Sequence, residues 1–343
     1  MCAIPPGPLS KAWPTCILLL TSILYCPQRT WADDPAQVVD DAERSAHATA
    51  LYLDCSAVPS WDHVTDIDRL KTSWNSTYSV VKRYLVEHGG ERAGRALQIE
   101  AVLTHNLYST QATAQQVVAV LQSSELIVSI DSGAAFSVDT TPPKLVVDTA
   151  LIRYACDYLL PRETFDDLRQ SAREISTANA AKMSATTKIL HAESLRRANA
   201  FLIQSIRYEG LKLFVLAHEA THLSLDKFSP DLLKAKGYQG QTDCVSAMYT
   251  ETRADIVGES AVRNIPIASI SQEVHDHPGK YPDSLLASFS ELATRAAYKD
   301  QLTIIQQTKE WLDYSSCQFS PQQRRDQLDA VFAREDLKKH IPN

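Results

Sequence analysis

The chain has 343 residues, 44% of them hydrophobic and 22% charged, which is enough apolar material for a sizeable core and excludes a highly charged, disordered chain. A net charge of -7 without a sustained basic stripe argues against a nucleic-acid partner, and Arg324-Arg325 and Lys338-Lys339 read as solvated helix faces. Ten glycines and sixteen prolines exclude a collagenous or low-complexity composition.

The amino terminus reads as an export signal. Lys11 precedes a short apolar run over residues 17–24, too short to span a bilayer comfortably, and Thr30-Trp31-Ala32 offers small residues for cleavage ahead of Asp33-Asp34. Residues 1–32 are therefore expected to be a signal peptide. Residues 33–343 are expected to form one exported domain, periplasmic or secreted, with no membrane span after cleavage. The competing readings are an uncleaved anchor and lipid attachment at Cys26, and the bulky Tyr25 disfavours the second. Cys2, Cys16 and Cys26 lie in the signal, leaving Cys55, Cys156, Cys244 and Cys317. Two disulfides of open connectivity are expected in an oxidising compartment, with buried free thiols as the alternative. None of the four has C-x-x-C spacing, which disfavours a thiolate metal site.

Beyond the signal, apolar periodicity predicts helices over 36–56, over 64–88 with an end at His88-Gly89-Gly90, and from Glu91 to about Tyr108. His47, His63, His88 and His105 lie here without ligand spacing and read as surface or core residues. Three short β-type runs follow, at 125–130, 134–138 and 144–148, separated by Asp131-Ser132-Gly133 and Thr140-Thr141-Pro142-Pro143. They predict a small antiparallel sheet, with Pro142-Pro143 placing the last strand near an edge. A helix is expected from Thr149 to near Pro161, and a long helical tract from Arg162 to Leu223. The fold class is thus α+β and mostly helical, in one domain whose core covers about 125–260, with helical additions on both sides.

The tract ends in His218-Glu219-Ala220-Thr221-His222, an H-E-x-x-H pattern behind the apolar residues Leu213 to Leu216. On a helix the two histidines stand one turn apart on one face, where both imidazoles can reach one Zn²⁺. Glu219 lies beside them as a candidate base toward a metal-bound water. The plainer reading is a surface helix with two solvated histidines, which the apolar flanks disfavour. A catalytic zinc usually takes a third protein ligand. Position 225 is Leu and position 228 is Phe, so the pattern with a third downstream histidine fails. Among the acids that follow, Glu251-Thr252-Arg253-Ala254-Asp255 is the most suggestive, with Glu251 as ligand and Asp255 one turn on to orient a ligand histidine. Asp226 and Glu259 are the fallbacks.

The segments 217–222 and 251–255 resemble the gluzincin zinc metallopeptidases of the HtpX and CAAX-prenyl-protease type, in which the third zinc ligand sits in an E-x-x-A-D helix. Residues 144–152 and 134–136 are similar to that family's strands upstream of the motif. The resemblance covers about 125–260 and implies a zincin-like core. By that analogy a substrate peptide would pair with the 144–148 strand. The match departs at Ala247 and Met248, where the family has Ser and Arg, and the stretch from His222 to Glu251 is short for that family. Membrane helices are lacking, so the likeness is to a soluble, exported branch.

The expected activity is hydrolysis of peptide bonds in a protein or peptide substrate, with one Zn²⁺ per chain held by His218, His222 and Glu251. Glu219 acts as general base, and Arg253, Tyr249, His275, His277 and Tyr281 are candidates for steadying the oxyanion. The alternatives are an inactive or structural zinc-binding envelope protein, such as a chaperone or scaffold, and a zinc amidase acting on cell-wall peptides. Oligomeric state is left open.

Overall fold

The computed structural model describes residues 34–60, 63–104, 110–130, 136–140, 142–160, 165–178, 183–225, 242–266, 293 and 326. The chain begins with α1 (Pro35–His47), and Asp34 caps it by accepting the Ala36 amide at 3.0 Å, with proline at the first helical position. A short break at Ala48-Thr49 separates it from α2 (Ala50–Ala57). The expected 36–56 helix is thus two, because Thr49 turns extended and caps the second.

α3 (Ile67–Thr104) is a single helix of 38 residues that runs straight through Gly89-Gly90. This corrects the expected stop at His88. Glycine lowers helix stability by only about 1 kcal/mol relative to alanine, so it weakens a helix without ending it. α4 (Thr110–Ser123) follows and packs against α3.

The sheet comprises β1 (Glu125–Ser129), β2 (Phe136–Thr140) and β3 (Pro143–Asp148), in the order β1-β3-β2. β2 pairs with β3 antiparallel, Phe136 opposite Val147, whereas β1 pairs with β3 parallel, Glu125 opposite Lys144. The expected antiparallel sheet is therefore corrected to a mixed one, and β3 is its centre instead of an edge. Burial accounts for the order: Leu145 and Val147 of β3 are fully buried, and central placement pairs the backbone of this apolar strand on both sides. Pro143 fits a central strand because it is the first residue, where its missing N–H costs least. Both edges of β3 are occupied within the sheet, so the expected pairing of a substrate peptide with residues 144–148 is overturned. The strand that lies against the helix of the H-E-x-x-H motif as an edge of this sheet is β2.

β3 passes directly into α5 (Thr149–Leu159), with Asp148 accepting the Ala150 amide at 2.7 Å as its cap. A disulfide between Cys55 and Cys156 joins α2 to α5. Arg153 strengthens the same junction by donating to the carbonyls of Val58 and Pro59, each at 2.9 Å. Cys317 and the side chain of Cys244 lie outside the described residues.

After α6 (Asp166–Ala178) comes α7 (Met183–Leu225), 43 residues long and so about 65 Å from end to end. It touches every other described helix and both β2 and β3. Two hydrophobic cores are strung along it. Phe201, Ala198 and Leu190 in its first half pack with Val39 of α1 and Ala172 of α6. Its second half, from Ile206 to Leu223, enters the main core with α2, α3, α5 and the sheet. α8 (Thr242–Asn264) packs along that second half. No helix among the described residues is long and apolar enough to cross a membrane.

Candidate metal centre

The H-E-x-x-H segment occupies the last turns of α7, in a stretch where residues 211–221 are all buried. Burying this segment leaves its hydroxyls to be satisfied locally. Thr221 donates to the Ala217 carbonyl and Ser224 to the Ala220 carbonyl, both at 2.7 Å. The helix places His218 and His222 one turn apart on one face. Phe214, a further turn back, stacks on the His218 ring with centroids 6.1 Å apart and planes at 25°.

α8 brings Glu251 and Asp255 to the same place. The Nε2 atoms of His218 and His222 are 3.0 Å apart, and the Glu251 carboxylate lies 3.4 Å from each of them, through Oε2 and Oε1 respectively. His218, His222 and Glu251 form a group able to hold a metal ion, with one ligand atom of each lying within 4.8 Å of the others. Ligands about 2.0–2.1 Å from a tetrahedral zinc stand roughly 3.3 Å from one another, so the observed separations fit one ion at the common centre. Two imidazole lone pairs this close also repel unless a proton or a cation lies between them.

The other nitrogen of His218, Nδ1, is 3.0 Å from Asp255 Oδ1. The contact is close, although the ring N–H is not aimed squarely at the oxygen. His218 and Asp255 are both sealed from solvent. A carboxylate behind a ligand histidine favours the tautomer that presents Nε2 to a metal. Burial alone would push the His218 pKa down, but the Asp255 and Glu251 carboxylates outweigh it and the net direction is up. Protons therefore compete with a metal ion at this ring.

The site is graded in exposure. The His218 side chain is 0% exposed, that of His222 13% and that of Glu251 26%. Glu219, adjacent to the first histidine, is buried on α7 at 6% exposure. Glu259, a fallback ligand, lies two turns beyond Glu251 on α8 and accepts from Arg263 at 3.0 and 3.2 Å; it is not one of the three converging groups. Asp226, His275, His277 and Tyr281 lie outside the described residues, as do the side chains of Arg253 and Tyr249, so none of them is placed at the site.

Two features escaped the reading of the sequence. One is Gly258, which packs on Phe214 three residues beyond Asp255. The other is a second buried polar cluster further back on α7. There Lys212 Nζ lies 3.0 Å from Ser73 Oγ, 3.3 Å from Glu209 Oε2 and 4.0 Å from Asp54 Oδ2, and Tyr208 donates to Asp54 at 2.9 Å. A lysine set within the apolar run from Leu211 to Leu216 was the signal that could have found it.

No protein-family model, no curated protein and no solved structure matches the chain.

Proposed function

We propose that the protein is an exported zinc-dependent metallopeptidase. The observation that carries this reading is the convergence of His218, His222 and Glu251, from two helices, at separations of 3.0–3.4 Å. The donor set, two imidazoles and a carboxylate, is one that zinc favours in catalytic sites. A structural zinc site is normally closed by four protein ligands, whereas the exposure here rises toward His222 and Glu251. That gradient supports an enzyme over a scaffold. The resemblance to gluzincins of the HtpX and CAAX-prenyl-protease type supports the same reading through the same residues.

Zinc bound there would supply Lewis-acid polarisation of the scissile carbonyl and a more acidic water. The remaining work falls to the chain. Glu219 takes the proton of the attacking water and returns it to the leaving amine. Asp255 holds His218 in the tautomer that presents Nε2, and the apolar shell around Phe214 keeps bulk water from the back of the site. Among the described residues β2 is the edge strand in contact with α7, and a substrate peptide would pair there. The Cys55–Cys156 disulfide supports residence in an oxidising compartment, periplasmic or secreted.

The test is zinc per chain in the purified protein, beside Glu251→Ala and Glu219→Gln, with casein as substrate. Near one zinc in the wild type, clear loss in Glu251→Ala, and retained zinc with hydrolysis lowered about 10²- to 10⁴-fold in Glu219→Gln are expected. A wild type that takes up no zinc when supplied with it sinks the proposal. Zinc without hydrolysis of either casein or cell-wall peptides leaves a binding protein.

A further inference from the structure

At Gly258 the backbone of α8 packs directly against the histidine helix. A Cβ on it would fall 3.0 Å from the Phe214 carbonyl oxygen and 3.1 Å from Cε2 and Cζ of the Phe214 ring, inside ordinary van der Waals contact. Both contacts lead to His218. In an α-helix the carbonyl of residue 214 receives the amide of residue 218, and the Phe214 ring stacks on the His218 imidazole. On α8 the intervals from Glu251 to Asp255 and on to Gly258 are four and three residues, which keeps ligand, histidine partner and contact point on one stripe.

We propose that Gly258 and Phe214 form the positioning pair that sets the distance between α7 and α8, and thereby whether the three donors converge closely enough to bind a metal ion. This rests on the metal-site reading above. Metal ligands must be placed to about 0.2 Å. A methyl group at 258 requires a shift of a few tenths of an ångström. The Phe214 carbonyl is held within its helix, and the ring cannot swing aside without leaving His218. The displacement therefore falls on α8, which carries Glu251 and Asp255.

Gly210 provides the contrast. A Cβ there would meet Ala293 Cβ at 2.9 Å and Ala293 O at 3.1 Å, a comparable crowding more than two turns before His218 and away from α8's ligand stripe. If both glycines serve packing alone, their alanine variants should behave alike toward metal.

The experiment titrates Zn²⁺ by calorimetry into metal-free full-length wild type, Gly258→Ala, Phe214→Leu and Gly210→Ala, with thermal unfolding of each metal-free protein alongside. Gly258→Ala should bind about tenfold more weakly and Phe214→Leu several-fold more weakly, as for loss of an outer-shell support. Gly210→Ala should melt lower yet keep the wild-type affinity. Unchanged affinity in Gly258→Ala, or an equal loss in Gly210→Ala, overturns the proposal. Should Gly258→Ala fail to fold, Phe214→Leu decides, and wild-type affinity there overturns it equally. A wild type that binds no Zn²⁺ defeats the metal-site reading first, and this proposal with it.

Discussion

Helix α7 carries two buried polar clusters, and they are built on opposite plans. Around Lys212 the chain supplies its own cation: Asp54 from α2, Ser73 from α3 and Glu209 from α7 surround the ammonium, with the Tyr208 and Trp74 rings 5.4 and 5.8 Å away. Every member of that charged set is sealed from water. Around His218 the donors meet at a common centre instead of around a side-chain ammonium, and exposure grows from one ligand to the next. A closed cluster with an internal cation ties helices together. A cluster of converging donors whose exposure is graded suits an ion taken up from solution. The same helix does both because its buried second half faces α2 and α3 over one stretch and α8 over the next.

The largest effect that would test this contrast is Lys212→Met. Removing the ammonium strands Asp54 and Glu209, and breaking a buried pair on one side typically costs about 3–5 kcal/mol. Denaturant unfolding should show that loss, while zinc bound by whatever protein remains folded should keep its wild-type affinity. Loss of affinity in the folded fraction would merge the two clusters into one unit.

Next in size, Asp255→Asn should weaken zinc binding about 10- to 100-fold with a smaller change in the melting temperature of the metal-free protein. Calorimetry beside thermal unfolding checks it. A large fall in stability with intact zinc affinity would make Asp255 a structural residue like Asp54.

The smallest effect concerns pH. Burial pushes the Glu209 carboxyl up, with Lys212 opposing and Asp54 adding to the rise. Asp54 is also raised, by burial first, against Lys212, Ser73, Tyr208 and Arg69, which pull it down. A glutamate raised in the folded state favours folding fully below its unfolded pKa of about 4.3, and that contribution is lost as pH rises through the folded value. Glu209→Gln should therefore match the wild type near pH 4 and melt higher than it at pH 8. A wild type more stable than Glu209→Gln at pH 8 would show that the second carboxylate is needed ionised. Melting curves across that range separate the outcomes.

Much of the site was legible in the chain because helical periodicity is local. His218 and His222, and likewise Glu251 and Asp255, share a face as soon as their segments are helical, whatever surrounds them. The strand runs and the helix beginning at Thr149 are local in the same way, and so is the mostly helical character of the α+β fold. Sheet order is not local. Three short strands allow several pairings, and the choice of β3 for the centre depends on the burial of Leu145 and Val147 against helices distant in sequence. Gly89-Gly90 misled for a related reason, since a helix in a folded chain draws most of its stability from packing outside the segment itself.

The amino-acid sequence by itself determined which residue types recur at metal-ligand spacing, on which two helices, and that four cysteines lie beyond residue 32. Only the tertiary structure decided that α8 reaches α7 at Gly258, that Asp255 stands behind His218, that Cys55 pairs with Cys156, and that Lys212 is enclosed by two carboxylates. The dividing line is physical. Spacing along one helix follows from its backbone geometry, whereas the distance between two helices follows from the volumes of side chains that meet only once the chain has folded.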